Sequence, residues 1–188
     1  MSRRGASVTL LVALTVLFTS AAKGCEKPRD TQPKKSSVVC HSTSSVKCWP
    51  TLTVYVDDRT GDAWPVREQV QKWDRLLKLH FLYGPCHRGA GCVKVVERKM
   101  GDTGVGATTT YACGSCGIID DTVVVAVNTT YGDSPAEVRK RTICHELGHA
   151  AGKTAHNAAT CMEPDVSIPN GSPNPSSKDA AVINAVYA

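Results

Sequence analysis

The sequence predicts an α/β (α+β) domain: a mixed twisted sheet with a backing helix, a central helix and a C-terminal helix. Two observations carry that prediction. Short runs of β-branched residues alternate with stretches whose apolar residues recur at helical spacing. One run, Thr122-Val123-Val124-Val125-Ala126-Val127, is almost continuously apolar, the pattern of a strand covered on both faces.

Thr51-Leu52-Thr53-Val54-Tyr55-Val56 reads as a first strand, ending at Asp57-Asp58. Val66, Val70, Trp73 and Leu77 share one face of a helix opened by Pro65. Leu79 to Tyr83 is a short strand, and Val93-Lys94-Val95-Val96-Glu97 is another. Gly104 to Tyr111, rich in Thr and Gly, suits an edge strand. After the apolar run, Ser134-Pro135-Ala136-Glu137 reads as a helix start, with a capping Ser, a Pro in the first turn and an early acid. Ser176-Ser177-Lys178-Asp179 resembles a capping box with Asp in place of Glu. It opens a last helix carrying Ala181, Ile183, Val186 and Tyr187.

Length and composition bound the rest. A chain of 188 residues suggests one modest domain plus what is trimmed from its N-terminus. Hydrophobic residues make up 41% and aromatics 5%, so the core is expected to be aliphatic. The net charge is +5, but the basic residues gather at Arg3, Arg4, Lys23, Lys27, Arg29, Lys34 and Lys35. No basic stripe falls on a folded face, so no nucleic-acid partner is expected.

Nine cysteines is heavy usage and points to an oxidising compartment. Met1-Ser2-Arg3-Arg4 is a positive n-region, Val8 to Phe18 is apolar apart from Thr, and Thr19-Ser20-Ala21-Ala22 offers small residues for cleavage. Residues 1–24 therefore read as a secretory signal peptide, its apolar run being short for a membrane span, with a permanent N-terminal anchor helix as the alternative. Ala22-Lys23-Gly24-Cys25 resembles a bacterial lipobox, and lipidation of Cys25 leaves an even number of cysteines. Ordinary cleavage after Ala21 or Ala22 is the alternative. Residues 25–47 read as a polar linker or tether, and 48–188 as the catalytic domain.

The chemistry concentrates in His145-Glu146-Leu147-Gly148-His149. Two histidines one helical turn apart project from one face with Cβ atoms about 5–6 Å apart. Both imidazoles can then reach one zinc ion at about 2.0–2.1 Å. Glu146 lies beside the first ligand, where a carboxylate can take a proton from a zinc-acidified water as general base. Gly148 and Ala150 are small enough for close packing. The bland alternative is a helix that merely holds two histidines at this spacing. Gly152 can end the helix and turn the chain, and His156 follows in that turn.

At this point the sequence resembles the metzincin clan of zinc peptidases, and within it the matrixin-like secreted enzymes. Those carry H-E-x-x-H-x-x-G-x-x-H followed by a methionine-containing turn. Here His145 to His156 departs from the motif by one residue: Ala155 holds the third-ligand position and His156 comes next. The resemblance implies His156 as third ligand, delivered by a bulge through Lys153-Thr154. A solvent-facing loop histidine is the alternative. Asp165 is a weaker substitute because it lies beyond the methionine, and Pro164 argues against a helical Glu163 ligand. Cys161-Met162-Glu163-Pro164 looks like the methionine turn, with Met162 as an apolar floor beneath the metal. The resemblance further implies that an extended peptide binds antiparallel to the edge strand near Gly104 to Tyr111.

Cys144 precedes the first ligand and Cys161 precedes Met162. A disulfide between them would staple helix to turn and stabilise by roughly 3 kcal/mol. Neighbouring positions suggest Cys40 with Cys48, Cys86 with Cys92 and Cys113 with Cys116. The last pair could instead be redox-active, or share a second zinc site with Cys86 and Cys92. Asn128-Thr129-Thr130 and Asn170-Gly171-Ser172 match the glycosylation sequon.

These readings predict a secreted or surface-anchored zinc-dependent endopeptidase. It would act on protein or peptide substrates as a monomer, with Zn2+ as cofactor and any membrane contact made through a lipid on Cys25. The alternative is a catalytically inactive, metal-stabilised cell-surface binding module. The intact Glu146 favours the enzyme, and the displaced His156 favours the module.

Overall fold

A computed structural model describes residues 46–113, 117–164 and 171–187. The expected leader, Cys25, Cys40, Cys116, Asp165 and Asn170 lie outside these residues. Along the chain run β1 (Thr53–Asp58), α1 (Val66–Asp74), β2 (His80–Tyr83), β3 (Gly91–Arg98), β4 (Ala107–Thr110), β5 (Val123–Asn128), a single 3-10 turn (Thr129–Tyr131), α2 (Ala136–Ala150) and α3 (Ser177–Asn184). The expected mixed sheet is present, in the order β2-β1-β3-β5-β4. β1 pairs in parallel with β2 and β3, and β3 pairs in parallel with β5. β4 joins β5 antiparallel and forms one edge.

The sequence explains this order locally. Parallel β1 and β2 need a crossover, and α1 supplies it. Val54 and Val56 of β1 alternate inward, as do Val93 and Val95 of β3. β5 is buried along nearly its whole length, as its apolar run requires. α1 packs on β1, β2 and α2, and α2 packs on β4 and β5. Two buried indoles fix α2 in place: Trp73 Nε1 donates to the Cys144 carbonyl at 3.0 Å, and Trp49 Nε1 to that of Ala150 at 2.9 Å. Each is a polar tip satisfied inside an apolar site.

Three details differ from or extend the sequence reading. Ser134 does not cap α2; the helix begins at Ala136, with Pro135 before it and no side-chain cap. The Arg139 guanidinium instead donates to the carbonyls of Gly132 and Ser134, which ties the incoming turn to the helix. Asn128 is fully buried; its amide donates to Gly101 and Val105 while its Oδ1 accepts from Met100 N and Thr130 N. With every hydrogen-bonding atom engaged inside the fold, the Asn128 sequon offers no accessible acceptor. At α3, Ser176 does cap: its Oγ accepts from Asp179 N at 3.0 Å and donates to Asp179 Oδ2 at 2.7 Å.

α2 ends in a Schellman arrangement. Gly152 N donates to His149 O at 2.9 Å and Lys153 N to Gly148 O at 3.1 Å. Gly152 takes φ +106°, and a Cβ there would run into the Lys47 carbonyl. That close approach is used, because Lys47 N donates to Gly152 O at 2.8 Å and Val46, buried, bridges to Lys153. Gly152→Ala is therefore expected to destabilise by more than about 1 kcal/mol, read as a lower thermal midpoint. An unchanged midpoint would show that the turn tolerates another backbone path.

Candidate metal centre

Helix α2 is buried from Arg141 through Gly148, so its site residues sit in a wall of packed side chains. A Cβ on Gly148 would collide with Met162 Sδ and press on the Trp73 ring. The glycine thus lets Met162, itself fully buried, lie directly against the helix between the two histidines. The turn that carries Met162 is closed by Thr160, whose Oγ accepts from Met162 N at 3.0 Å and whose carbonyl accepts from Glu163 N at 3.1 Å. The Glu163 carboxylate accepts from Ala159 N within the same turn, which gives it a local role.

The histidines are oriented by main-chain carbonyls. His145 Nδ1 lies 3.0 Å from Cys161 O, and His149 Nδ1 lies 2.7 Å from Lys153 O. A carbonyl only accepts, so each Nδ1 carries the proton and each Nε2 presents its lone pair. Those two Nε2 atoms are 3.0 Å apart. Two converging lone pairs repel unless a cation lies between them. A tetrahedral zinc with bonds of about 2.0–2.1 Å would set its nitrogens about 3.3 Å apart.

His156 completes the group. One ring nitrogen from each of His145, His149 and His156 lies within 4.8 Å of the others. The His156 ring stacks on His145 with centroids 5.0 Å apart and meets His149 edge-on at 5.1 Å. The extra residue before His156 is thus absorbed in the turn after Gly152. Burial pulls the pKa of His145 down to about 3, helped by the neighbouring His149 and His156. Burial also lowers the pKa of His149 and of His156. All three are therefore neutral near pH 7, the form that binds metal. The donor set fits a metal ion.

Glu146 is buried beside them, and burial raises its pKa to about 7, partly offset by a hydrogen bond from Thr109. Thr109 Oγ lies 2.6 Å from Glu146 Oε2 and 3.0 Å from the Glu146 carbonyl. The sheet edge thereby touches the acid directly, because Thr109 belongs to β4. The sequence marks β4 as an edge but contains no signal joining one of its threonines to a glutamate 37 residues away. Thr109→Val keeps the shape of the side chain and removes the hydroxyl. It is expected to raise the Glu146 pKa further, because the hydroxyl's hydrogen bond holds it down. An unchanged Glu146 pKa by NMR titration would leave Thr109 without a part in tuning the acid.

The expected Cys144–Cys161 disulfide is present, with Cα atoms 5.8 Å apart. Cys161 also supplies the carbonyl that orients His145, so one residue both crosslinks the helix and aims its first imidazole. Replacing both cysteines with Ala is expected to cost about 3 kcal/mol, visible as a lower denaturant midpoint. A midpoint equal to wild type would mean the crosslink adds nothing to the packed turn. Cys86 and Cys92 are also joined. Their disulfide removes both thiolates from the alternative second zinc site with Cys113 and Cys116. Cys48 is disulfide-bonded. The pairings expected for Cys40 with Cys48 and Cys113 with Cys116 each involve a cysteine outside the described residues.

No protein-family model and no curated protein matches the chain in sequence. Among solved structures, that of myroilysin superposes with a TM-score of 0.45 at 15% identity, covering 87% of this chain and 99% of that one. A likeness at that level assigns no family. The three imidazoles and the buried acid are what point to a function.

Proposed function

We propose that this chain is a zinc-dependent endopeptidase in which His145, His149 and His156 hold the metal and Glu146 is the general base. The observation that carries the reading is the convergence of two carbonyl-fixed Nε2 lone pairs, with a third imidazole beside them and a buried carboxylate next in sequence. Held by these three imidazoles, zinc would supply Lewis acidity toward a water molecule and a carbonyl group. Glu146 accepts the proton of the attacking water on its carboxylate, which Thr109 orients through Oε2. It then passes that proton to the amine nitrogen released as the peptide C–N bond breaks. A site serving only to stabilise the fold has no need of such an acid.

The substrate reading follows from the edge strand. β4 has β5 on one side, and Thr109 reaches from it to Glu146. An extended peptide laid along its other side would gain main-chain hydrogen bonds and pass the metal. We infer that the protein acts outside the cell as a monomer, either secreted or anchored through a lipid on Cys25. The Cys86–Cys92 and Cys144–Cys161 disulfides support an oxidising compartment. Among the described residues no helix is long and apolar enough to cross a membrane. Casein or gelatin incubated with purified protein is expected to be cut, and a chelator to stop the cutting. Cleavage that persists in chelator would refute the metal dependence.

A further inference from the structure

A lysine and an aspartate outside the metal site are buried beside its third ligand. Lys153 is 1% exposed and Asp179 is 0% exposed. Burying either charge carries a large desolvation cost unless it is paired and fully hydrogen-bonded. Their partners are specific. Lys153 Nζ donates to the carbonyl of Ala155 at 2.6 Å and lies 3.9 Å from Asp179 Oδ1. Asn157 Nδ2 donates to the same Asp179 Oδ1 at 2.5 Å. Asp179 Oδ2 is held by Ser176 at the start of α3.

Ala155 and Asn157 are the residues on either side of His156. The lysine grips the peptide before the third imidazole, and the aspartate grips the side chain after it. Asn157 N also donates to Met162 O at 3.0 Å, which ties the same segment to the methionine turn. Lys153 acts on the second imidazole too, because its carbonyl accepts from His149 Nδ1. A loop needed only as a connection could stay polar and solvated; here an ammonium and a carboxylate are taken inside the protein to hold it.

We propose that Lys153 and Asp179 form a buried clamp that positions His156 for metal binding, which is how a chain one residue longer than the motif it resembles completes its ligand set. The proposal rests on the zinc reading above. Lys153, Asp179 and Asn157 are positioning residues and do not touch the metal.

The test compares Lys153→Met and Asn157→Ala with Val70→Ala, a substitution in the core face of α1. For each folded protein the zinc dissociation constant is measured by competition with a chromogenic chelator, beside the thermal midpoint of the metal-free form. The ligand-field absorption of the cobalt(II)-loaded protein is recorded as well. The clamp variants are expected to bind zinc about 10–100-fold more weakly, the range for residues that orient ligands. Their cobalt spectra should shift toward that of His156→Ala. Val70→Ala should lower the midpoint with little change in affinity, since native-state binding is a separate term from folding. If the clamp variants lose midpoint as Val70→Ala does but keep wild-type zinc affinity, the pair is only structural and the proposal fails. Should Lys153→Met fail to fold, Asn157→Ala decides, because it leaves both charges in place. Wild-type affinity in the clamp variants beside weak binding by His156→Ala overturns the clamp alone. Wild-type affinity in His156→Ala itself overturns the three-histidine zinc reading, and the clamp with it.

Discussion

Glu146→Gln is expected to lower casein turnover by about 10²–10⁴-fold while the protein keeps its metal. Glutamine has the same shape and can still accept from Thr109, so the Thr109 hydroxyl keeps its partner. What it lacks is the capacity to take a proton from water. His145 and His149 are aimed by main-chain carbonyls and not by Glu146, so their geometry should survive the change. Retained metal with lost turnover is therefore the specific signature of a base. Lost metal would place Glu146 among the ligands or their supports. Unchanged turnover would leave the acid without a role and favour a binding module stabilised by metal.

His156→Ala should weaken metal retention by more than about 100-fold, beyond the range for residues that only orient ligands. The remaining pair, His145 and His149, would be a two-nitrogen site on one helix turn. Such a pair can still bind zinc weakly, so the loss should be graded in affinity and not absolute. Metal content after dialysis against a mild chelator is the appropriate readout. An affinity equal to that of wild type would mean that the stacking of His156 on His145 is mere proximity. Turnover should fall with the metal and return in part at high zinc concentration. Acidification should act in the same direction, because protons compete with metal for the same imidazole nitrogens.

The parts of this architecture that depend on short-range spacing are legible in the sequence. His145 and His149 share a face because a helix turn is 3.6 residues, and Glu146 follows between them. Ser176 caps α3 at Asp179 N because the S-x-x-D pattern spans only four residues. Gly152 ends α2 because glycine takes positive φ without strain, which is legible locally, whereas the close pass of Lys47 that its missing Cβ allows is not. Cys144 and Cys161 are legible by adjacency to features already placed. Strand order is not, since β3 lies between β1 and β5 through pairings that no local pattern encodes.

The unseen parts of the site share that cause. Thr109 reaches Glu146 only because β4 returns antiparallel to β5 beside α2. Lys153 reads in sequence as a loop lysine, and its burial depends on Val46 and Asp179 arriving from opposite ends of the domain. Ser134 suits a cap by residue type, but Arg139 ties off the preceding turn instead. Position along the chain marks the candidate histidines, whereas the groups that orient them emerge only from packing.

The most direct test of the central claim is a zinc titration of the metal-free protein with casein turnover as the readout. The three-histidine site predicts no turnover without metal and a rise that saturates near one zinc per chain. Zinc that binds at one per chain without any turnover, or turnover that is full before zinc is added, would contradict it.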